Sequence, residues 1–255
     1  MPFTFSHPAI VLPLIGARKK LFSATGLVVG SIIPDFEYFI TLTPEINRFG
    51  HSIKGIFLFA LPVALAVSFL FHNLVRNPLI SNLPSFLNRR LSKFQSFNWN
   101  FYARKNILKV VLSILIGTIS HSLWDSFTHD TGFFARHFAI FEKSTYFIFY
   151  ERSLRVIIWD VSSVAGFITI LLVILSLKPG INTKNREIFS YWFIVALVTT
   201  LVVFLKEAYS TIDNIGHHAI VIIAGILLGL IIASFFKMMA FGSTSIKSKE
   251  PVSNR

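Results

Sequence analysis

In the run Ser120-His121-Ser122-Leu123-Trp124-Asp125 an imidazole and a carboxylate stand four residues apart, and His129 follows after another four. On a helix, four residues turn the chain by ~400° and advance it by ~6 Å. His121 and Asp125 then share a face, and their side chains can converge on one ion. Neutral imidazole with carboxylate suits zinc, manganese or iron better than calcium or magnesium. The competing reading is a plain hydrogen-bonded His–Asp pair. His129 falls about 12 Å beyond His121 along a straight helix, so it joins as a third ligand only if the helix ends near Asp125. The chain has no Cys, which removes thiolate metal sites, disulfides and Cys nucleophiles together. Without a Gly-x-Ser-x-Gly elbow or a Gly-rich phosphate loop, His, Asp and Glu are left to carry any chemistry.

The elements that must position these groups are apolar. Five stretches, Ile53 to Leu74, Ile107 to Trp124, Val156 to Leu177, Ser190 to Leu205 and Ile215 to Phe236, are long enough to span roughly 30 Å of hydrocarbon. Two shorter pieces, Phe5 to Ala17 and Leu21 to Ile33, are broken by Pro or Gly. They read as tilted, re-entrant or buried against the other helices, where irregular backbone is tolerated at membrane depth. Gly26 and Gly30 form a Gly-x-x-x-Gly pair, more often a packing notch than a catalytic feature. The expected fold is therefore all-α, a polytopic transmembrane helical bundle of five full spans plus two short N-terminal apolar helices. Composition agrees: 53% of the 255 residues are hydrophobic, 14% are charged and 28 are Phe, and the mean hydropathy is +0.65. A soluble core of this size would leave large apolar patches exposed, whereas lipid removes the difficulty. Residues 1–240 are expected to form one membrane-embedded domain without internal repeats, followed by a disordered, basic, Ser/Lys-rich tail over 241–255. No charge precedes the apolar stretch from Phe3 to Ala17, and Arg18, Lys19 and Lys20 follow it. A retained start is expected rather than a cleaved signal peptide.

Loop charges set the orientation. From Arg76 to Lys109 the chain carries Arg76, Arg89, Arg90, Lys93, Arg104, Lys105 and Lys109 and no acid, which marks that stretch as cytoplasmic. Alternation places Lys178 to Glu187 and the tail after Lys237 inside, and Ser126 to Arg155 outside. The N-terminus is then outside, the C-terminus cytoplasmic, and the protein multi-pass in the cell (inner) membrane. The net charge of +12 is thereby explained without nucleic acid, for which no interleaved basic-aromatic motif argues. In this topology His7, Asp35, His51, His121 and Asp125 all reach the outer ends of their segments, as do Asp160, His217 and His218, whereas His72 lies at an inner end. Ionisable groups at such depth are expensive and need a partner or a purpose. A His/Asp cluster at the outer face is the functional-site hypothesis, and a network that only ties helices together is its rival. Glu37, among Tyr38 and Phe39, reads as an interfacial acid, and Asp160, beside Trp159, as a hydrogen-bond partner of a neighbouring helix. His217 and His218 point apart, so at most one faces the cluster. His137 reads as a loop residue and His72 as a snorkelling one.

Taken in order, four motifs go further: Met-Pro-Phe-Thr-Phe-Ser-His-Pro-Ala, Gly-Ser-Ile-Ile-Pro-Asp-Phe-Glu-Tyr-Phe, Gly-His-Ser, and Gly-Thr-Ile-Ser-His-Ser-Leu-Trp-Asp-Ser-Phe-Thr-His-Asp-Thr-Gly. Over residues 1–167 this order resembles a bacterial membrane-protein family described only as a domain of unknown function. More loosely, it is similar to membrane-bound metal-dependent hydrolases and, through them, to zinc-dependent phospholipase C. The resemblance implies that His7, Asp35, His51, His121 and Asp125 ligate one or two divalent ions, zinc first, with manganese or iron as alternatives. Phospholipase C-like enzymes use a second His-x-x-x-Glu/Asp pair, which this chain lacks, so their trinuclear cluster is not expected in full. The function expected is hydrolysis of a membrane lipid or another phosphoester at the outer face, with His129 or Glu37 shuttling the proton. The alternative is a non-enzymatic membrane protein whose cluster serves helix packing or binds a partner or lipid. A metal or proton transporter would need a polar route to the cytoplasmic side, and only His72 offers one.

Overall fold

The computed structural model describes residues 3–17, 20–44, 49–181, 188–212 and 214–247. Expectations resting on Arg18 and Lys19, on Lys184 and Arg186, or on the tail from residue 248 lie outside the described residues. At membrane depth the backbone satisfies its polar groups by closing them within helices, and the apolar pattern becomes helix accordingly. A 3-10 turn (Thr4–Ser6) leads into α1 (Pro8–Ala17) and α2 (Ala24–Gly30), and a second 3-10 turn (Ile33–Asp35) leads into α3 (Phe36–Thr41). Then come α4 (Ile53–Ser81), α5 (Ser85–Leu91), α6 (Trp99–Lys105), α7 (Ile107–Thr128) and α8 (Phe133–His137). A hairpin of β1 (Ser144–Phe147) and β2 (Tyr150–Ser153), with Ser144 opposite Ser153, precedes α9 (Leu154–Ser176), α10 (Ile188–Tyr209) and α11 (Ile215–Lys247). Five of these elements, α4, α7, α9, α10 and α11, are long and apolar enough to cross a membrane, and the architecture is all-α and polytopic as expected.

Most of the long helices overrun the boundaries read from hydropathy. Helix α4 continues from Leu74 to Ser81, and α11 from Phe236 to Lys247. Hydropathy marks where a chain leaves hydrocarbon, whereas backbone hydrogen bonding continues until a cap or breaker stops it. In α9 and α10 only 11% of the most apolar window is buried within the structure. Exposed apolar side chains such as Phe167 and Leu172 on α9 and Phe193 and Phe204 on α10 present a surface that lipid solvates well.

The chain sorts into two compact units: Met1–Glu37, Ile46–Ser68 and Asn100–Ser176 in the first, and Tyr38–Glu45, Phe69–Trp99 and Leu177–Arg255 in the second. In the first unit, Ser113, Gly117, His121 and Asp125 recur every four residues along one buried stripe of α7. The lower half of this stripe packs on α2. A Cβ on Gly30 would run into the Ile114 carbonyl, and one on Gly117 into the Leu27 carbonyl, so both positions need glycine. The contact is pinned where the Ser23 N–H donates to Ser113 Oγ (2.8 Å) and Thr118 Oγ1 donates to the Gly30 carbonyl (3.2 Å). The N-terminal turn rests on α9, where Ser6 Oγ donates to the Ser163 carbonyl (2.7 Å) and the Phe3 N–H to Ser163 Oγ (2.9 Å). In the second unit α10 and α11 close around Tyr191, Val195 and Ala233, with Tyr191 Oη 3.1 Å from Ser234 Oγ.

Candidate metal centre

Each cluster residue is delivered by a different local device. Asp35 ends the 3-10 turn after α2, in which Pro34 takes an early position where a missing N–H costs nothing. Its Oδ2 accepts from Thr4 Oγ1 at 2.6 Å, which turns Oδ1 the other way. His51 ends a turn (Phe49–His51) just before α4. That turn is braced by Glu37, whose Oε2 accepts the Gly50 N–H at 2.9 Å. Ser52 then caps α4 by accepting the Gly55 N–H at 2.9 Å. His121 and Asp125 come from the upper half of the α7 stripe, and His7 follows the first 3-10 turn.

Four of these side chains converge. Asp35, His51, His121 and Asp125 each offer one ligand atom, all within 4.8 Å of one another. His121 Nε2 lies 3.2 Å from Asp125 Oδ2 and 3.4 Å from Asp35 Oδ1, and His51 Nε2 lies 3.3 Å and 3.7 Å from the same two oxygens. Ligands held at ~2.1 Å around a four-coordinate ion stand roughly 3.4 Å apart. His7 adjoins this set, its ring stacked 4.0 Å from that of His121 and its Nε2 3.2 Å from Asp125 Oδ1. Side-chain exposure is 0% for His121 and Asp35, 9% for Asp125 and 16% for His51, so His51 marks the open side.

The hydrogen-bond pattern decides what such a cluster can do. His121 Nδ1 is 2.8 Å from the Ser31 carbonyl, and His7 Nδ1 is 3.2 Å from the Thr4 carbonyl. A carbonyl only accepts, so each Nδ1 carries the hydrogen, and in a neutral ring each Nε2 presents a lone pair. Those lone pairs face carboxylate oxygens, acceptor against acceptor. Asp35 Oδ1 and His121 Nε2 are both buried and neither completes a hydrogen bond. Only a cation between them or protons on the rings relieves that arrangement. A divalent ion would also balance the two carboxylates, which in a buried site must be neutralised. Burial pushes the Asp35 carboxyl upward, but in the metal-free cluster the charge of a protonated His121 facing it outweighs this and holds the group below the ordinary carboxylate range.

The remaining candidates are engaged elsewhere. Helix α7 ends at Thr128 and His129 adopts extended backbone. Its ring folds back with Nδ1 3.2 Å from the Asp125 carbonyl and 3.5 Å from Asp125 Oδ1, beside the four converging residues but not among them. Glu37 also stands outside the four, as the brace of the His51 turn. Asp160 is bonded by Arg152 at 2.6 Å. His217 Nε2 lies 3.0 Å from the Leu42 carbonyl, and His218 Nε2 3.5 Å from Glu207. His72 stacks on Trp99 at 4.6 Å and meets Arg76 Nη1 at 2.9 Å, and His137 Nδ1 lies 2.8 Å from the Phe133 carbonyl. Sequence reasoning missed Thr4 and the Ser31 carbonyl. Nothing in the composition of a Thr-Phe-Ser turn marks it as the brace of a carboxylate thirty-one residues away.

A family model described as "Domain of unknown function (DUF4184)" matches residues 1–235. No curated protein and no solved structure matches the chain.

Proposed function

The chain belongs to the DUF4184 family, and from that premise we propose a metal-dependent hydrolase of the extracytoplasmic membrane face that cuts an ester or phosphoester of a membrane lipid. In this reading Asp35, His51, His121 and Asp125 hold a divalent ion, zinc first and manganese or iron next, with His7 beside them, its Nε2 3.2 Å from Asp125 Oδ1. The observation that carries it is the pair of buried, unbonded atoms Asp35 Oδ1 and His121 Nε2, set 3.4 Å apart with the imidazole hydrogen committed to Ser31. An ion held there supplies Lewis acidity and a water of lowered pKa. With an ion bound, the water oxygen would bond to the phosphorus or carbonyl carbon, the bond to the ester oxygen would break, and that oxygen would depart as an alcohol with the proton the water gives up. His129, with Nδ1 turned to Asp125, is the group assigned to move that proton. Placement at the outer face is supported by the acid-free basic stretch from Arg76 to Lys109.

The test is metal content by inductively coupled plasma mass spectrometry on detergent-purified protein. Near-stoichiometric zinc, manganese or iron is expected in the wild type and its loss in the double variant His121→Ala, Asp125→Ala. Metal-free wild type that takes up no ion on reconstitution overturns the reading. The rival reading, a non-enzymatic cluster of protonated imidazoles tying the N-terminal turn to α7, draws on the same contacts. It expects the double variant to lower Tm with no change in bound metal.

A further inference from the structure

Beside the cluster, α1, α7 and α9 line an open-sided cavity of about 550 Å³, within the range of small-ligand sites. Its walls are almost wholly apolar, with Ile10 on α1, Trp124 on α7, and Val161, Ala165 and Thr169 on α9 among them, and His7 forms part of the lining. His7 therefore belongs to two places at once, since its Nε2 reaches Asp125 at 3.2 Å. The Trp124 indole N–H donates to Ser162 Oγ at 3.3 Å, which holds the ring as a fixed wall beside Asp125. Along α9 the lining runs from Ile157 to Thr169, roughly 18 Å of helix, close to the ~15 Å of hydrocarbon in one leaflet.

We propose that this cavity binds one hydrocarbon chain of the lipid whose ester is cut at the His/Asp centre. The assignment rests on the hydrolase reading above. It makes the substrate an amphiphile, with a chain along α9 and a polar ester at the His7 end. Three observations select a lipid chain as the occupant. Both α7 and α9 are membrane-spanning helices, so hydrocarbon is the surrounding solvent. The length of the cavity is that of a single leaflet, and its lining is almost wholly apolar.

The experiment uses the full-length protein in nanodiscs with a phosphatidylglycerol that carries a diazirine on one acyl chain, and maps the crosslinks by mass spectrometry. Labelling of peptides containing Ile10, Val161 or Thr169 is expected. Ala165, an exposed side chain in the lining, is replaced as Ala165→Trp to fill the cavity, with Ala165→Ser as the conservative control. The bulky variant is expected to lose labelling by about tenfold or more, with bound metal unchanged. It should also lower the ratio of long-chain phospholipid to bis(p-nitrophenyl) phosphate hydrolysis by about the same factor. Wild type that labels elsewhere, or that crosslinks through these residues to a second copy of the chain, overturns the proposal, as does undiminished labelling of Ala165→Trp. Labelling as expected with neither ester cut keeps the lipid site and removes the hydrolase reading instead.

Discussion

At the scale of single residues, the cluster depends on groups outside the four converging side chains. Thr4 takes one oxygen of Asp35 and the Ser31 carbonyl takes one nitrogen of His121, so Asp35 and His121 each keep a single direction toward the centre of the cluster. Removing such an outer partner weakens metal affinity by ~10–100-fold in other sites. The same loss is expected for Thr4→Val in a calorimetric zinc titration, and equal affinities would show that the hydroxyl orients nothing. Acid provides a second residue-scale prediction. Because the folded Asp35 carboxyl lies below its ordinary value, its stabilising contribution is present above the unfolded carboxylate's ~3.9 and is lost as pH falls through the folded value. In metal-free protein, Asp35→Asn should therefore flatten the acid limb of Tm against pH. A limb as steep as wild type would assign acid loss to other groups. His129 was legible only conditionally. Its approach to Asp125 required α7 to stop, and the helix stops at Thr128.

At the scale of elements, one helix face does two jobs. The four-residue spacing of Ser113, Gly117, His121 and Asp125 puts a packing surface and half the cluster on a single stripe, so the close approach of α2 also sets where Ser31 meets His121. Gly117→Leu forces a side chain into the Leu27 carbonyl, and overpacking of this kind costs ~1–3 kcal/mol or more. A fall in Tm together with loss of bound metal is expected. Gly16, which has nothing within 4 Å of where a Cβ would stand, is the control: Gly16→Ala should leave Tm unchanged or raise it slightly, since Ala is favoured over Gly in a helix by up to ~1 kcal/mol. Equal effects of the two substitutions would deny the α2–α7 contact its special tightness. The Gly26 and Gly30 notch was visible in the sequence as a spacing, whereas its partner on α7 was not.

At the scale of the whole molecule, two measurements bear on the reading. Reporters fused between β1 and β2 and beside Arg89 should report opposite sides of the membrane, the first extracytoplasmic. A cytoplasmic result at the first site would break the charge argument. Chelation should lower Tm and added zinc restore it, because an ion at 100 times its Kd stabilises the folded state by ~2.7 kcal/mol; a Tm indifferent to both would mean that no ion is held. By itself the sequence determined the lipid setting, the five spans and the shared face of His121 and Asp125, because hydropathy and helical period are local properties of neighbouring residues. Only the tertiary structure decided that Asp35 and His51 meet that face, that Thr4 and Glu37 serve as braces, and that Asp160 pairs with Arg152 instead. Such choices depend on contacts between distant segments, as between His7 and Asp125, 118 positions apart, and no local pattern encodes which loop packs against which helix.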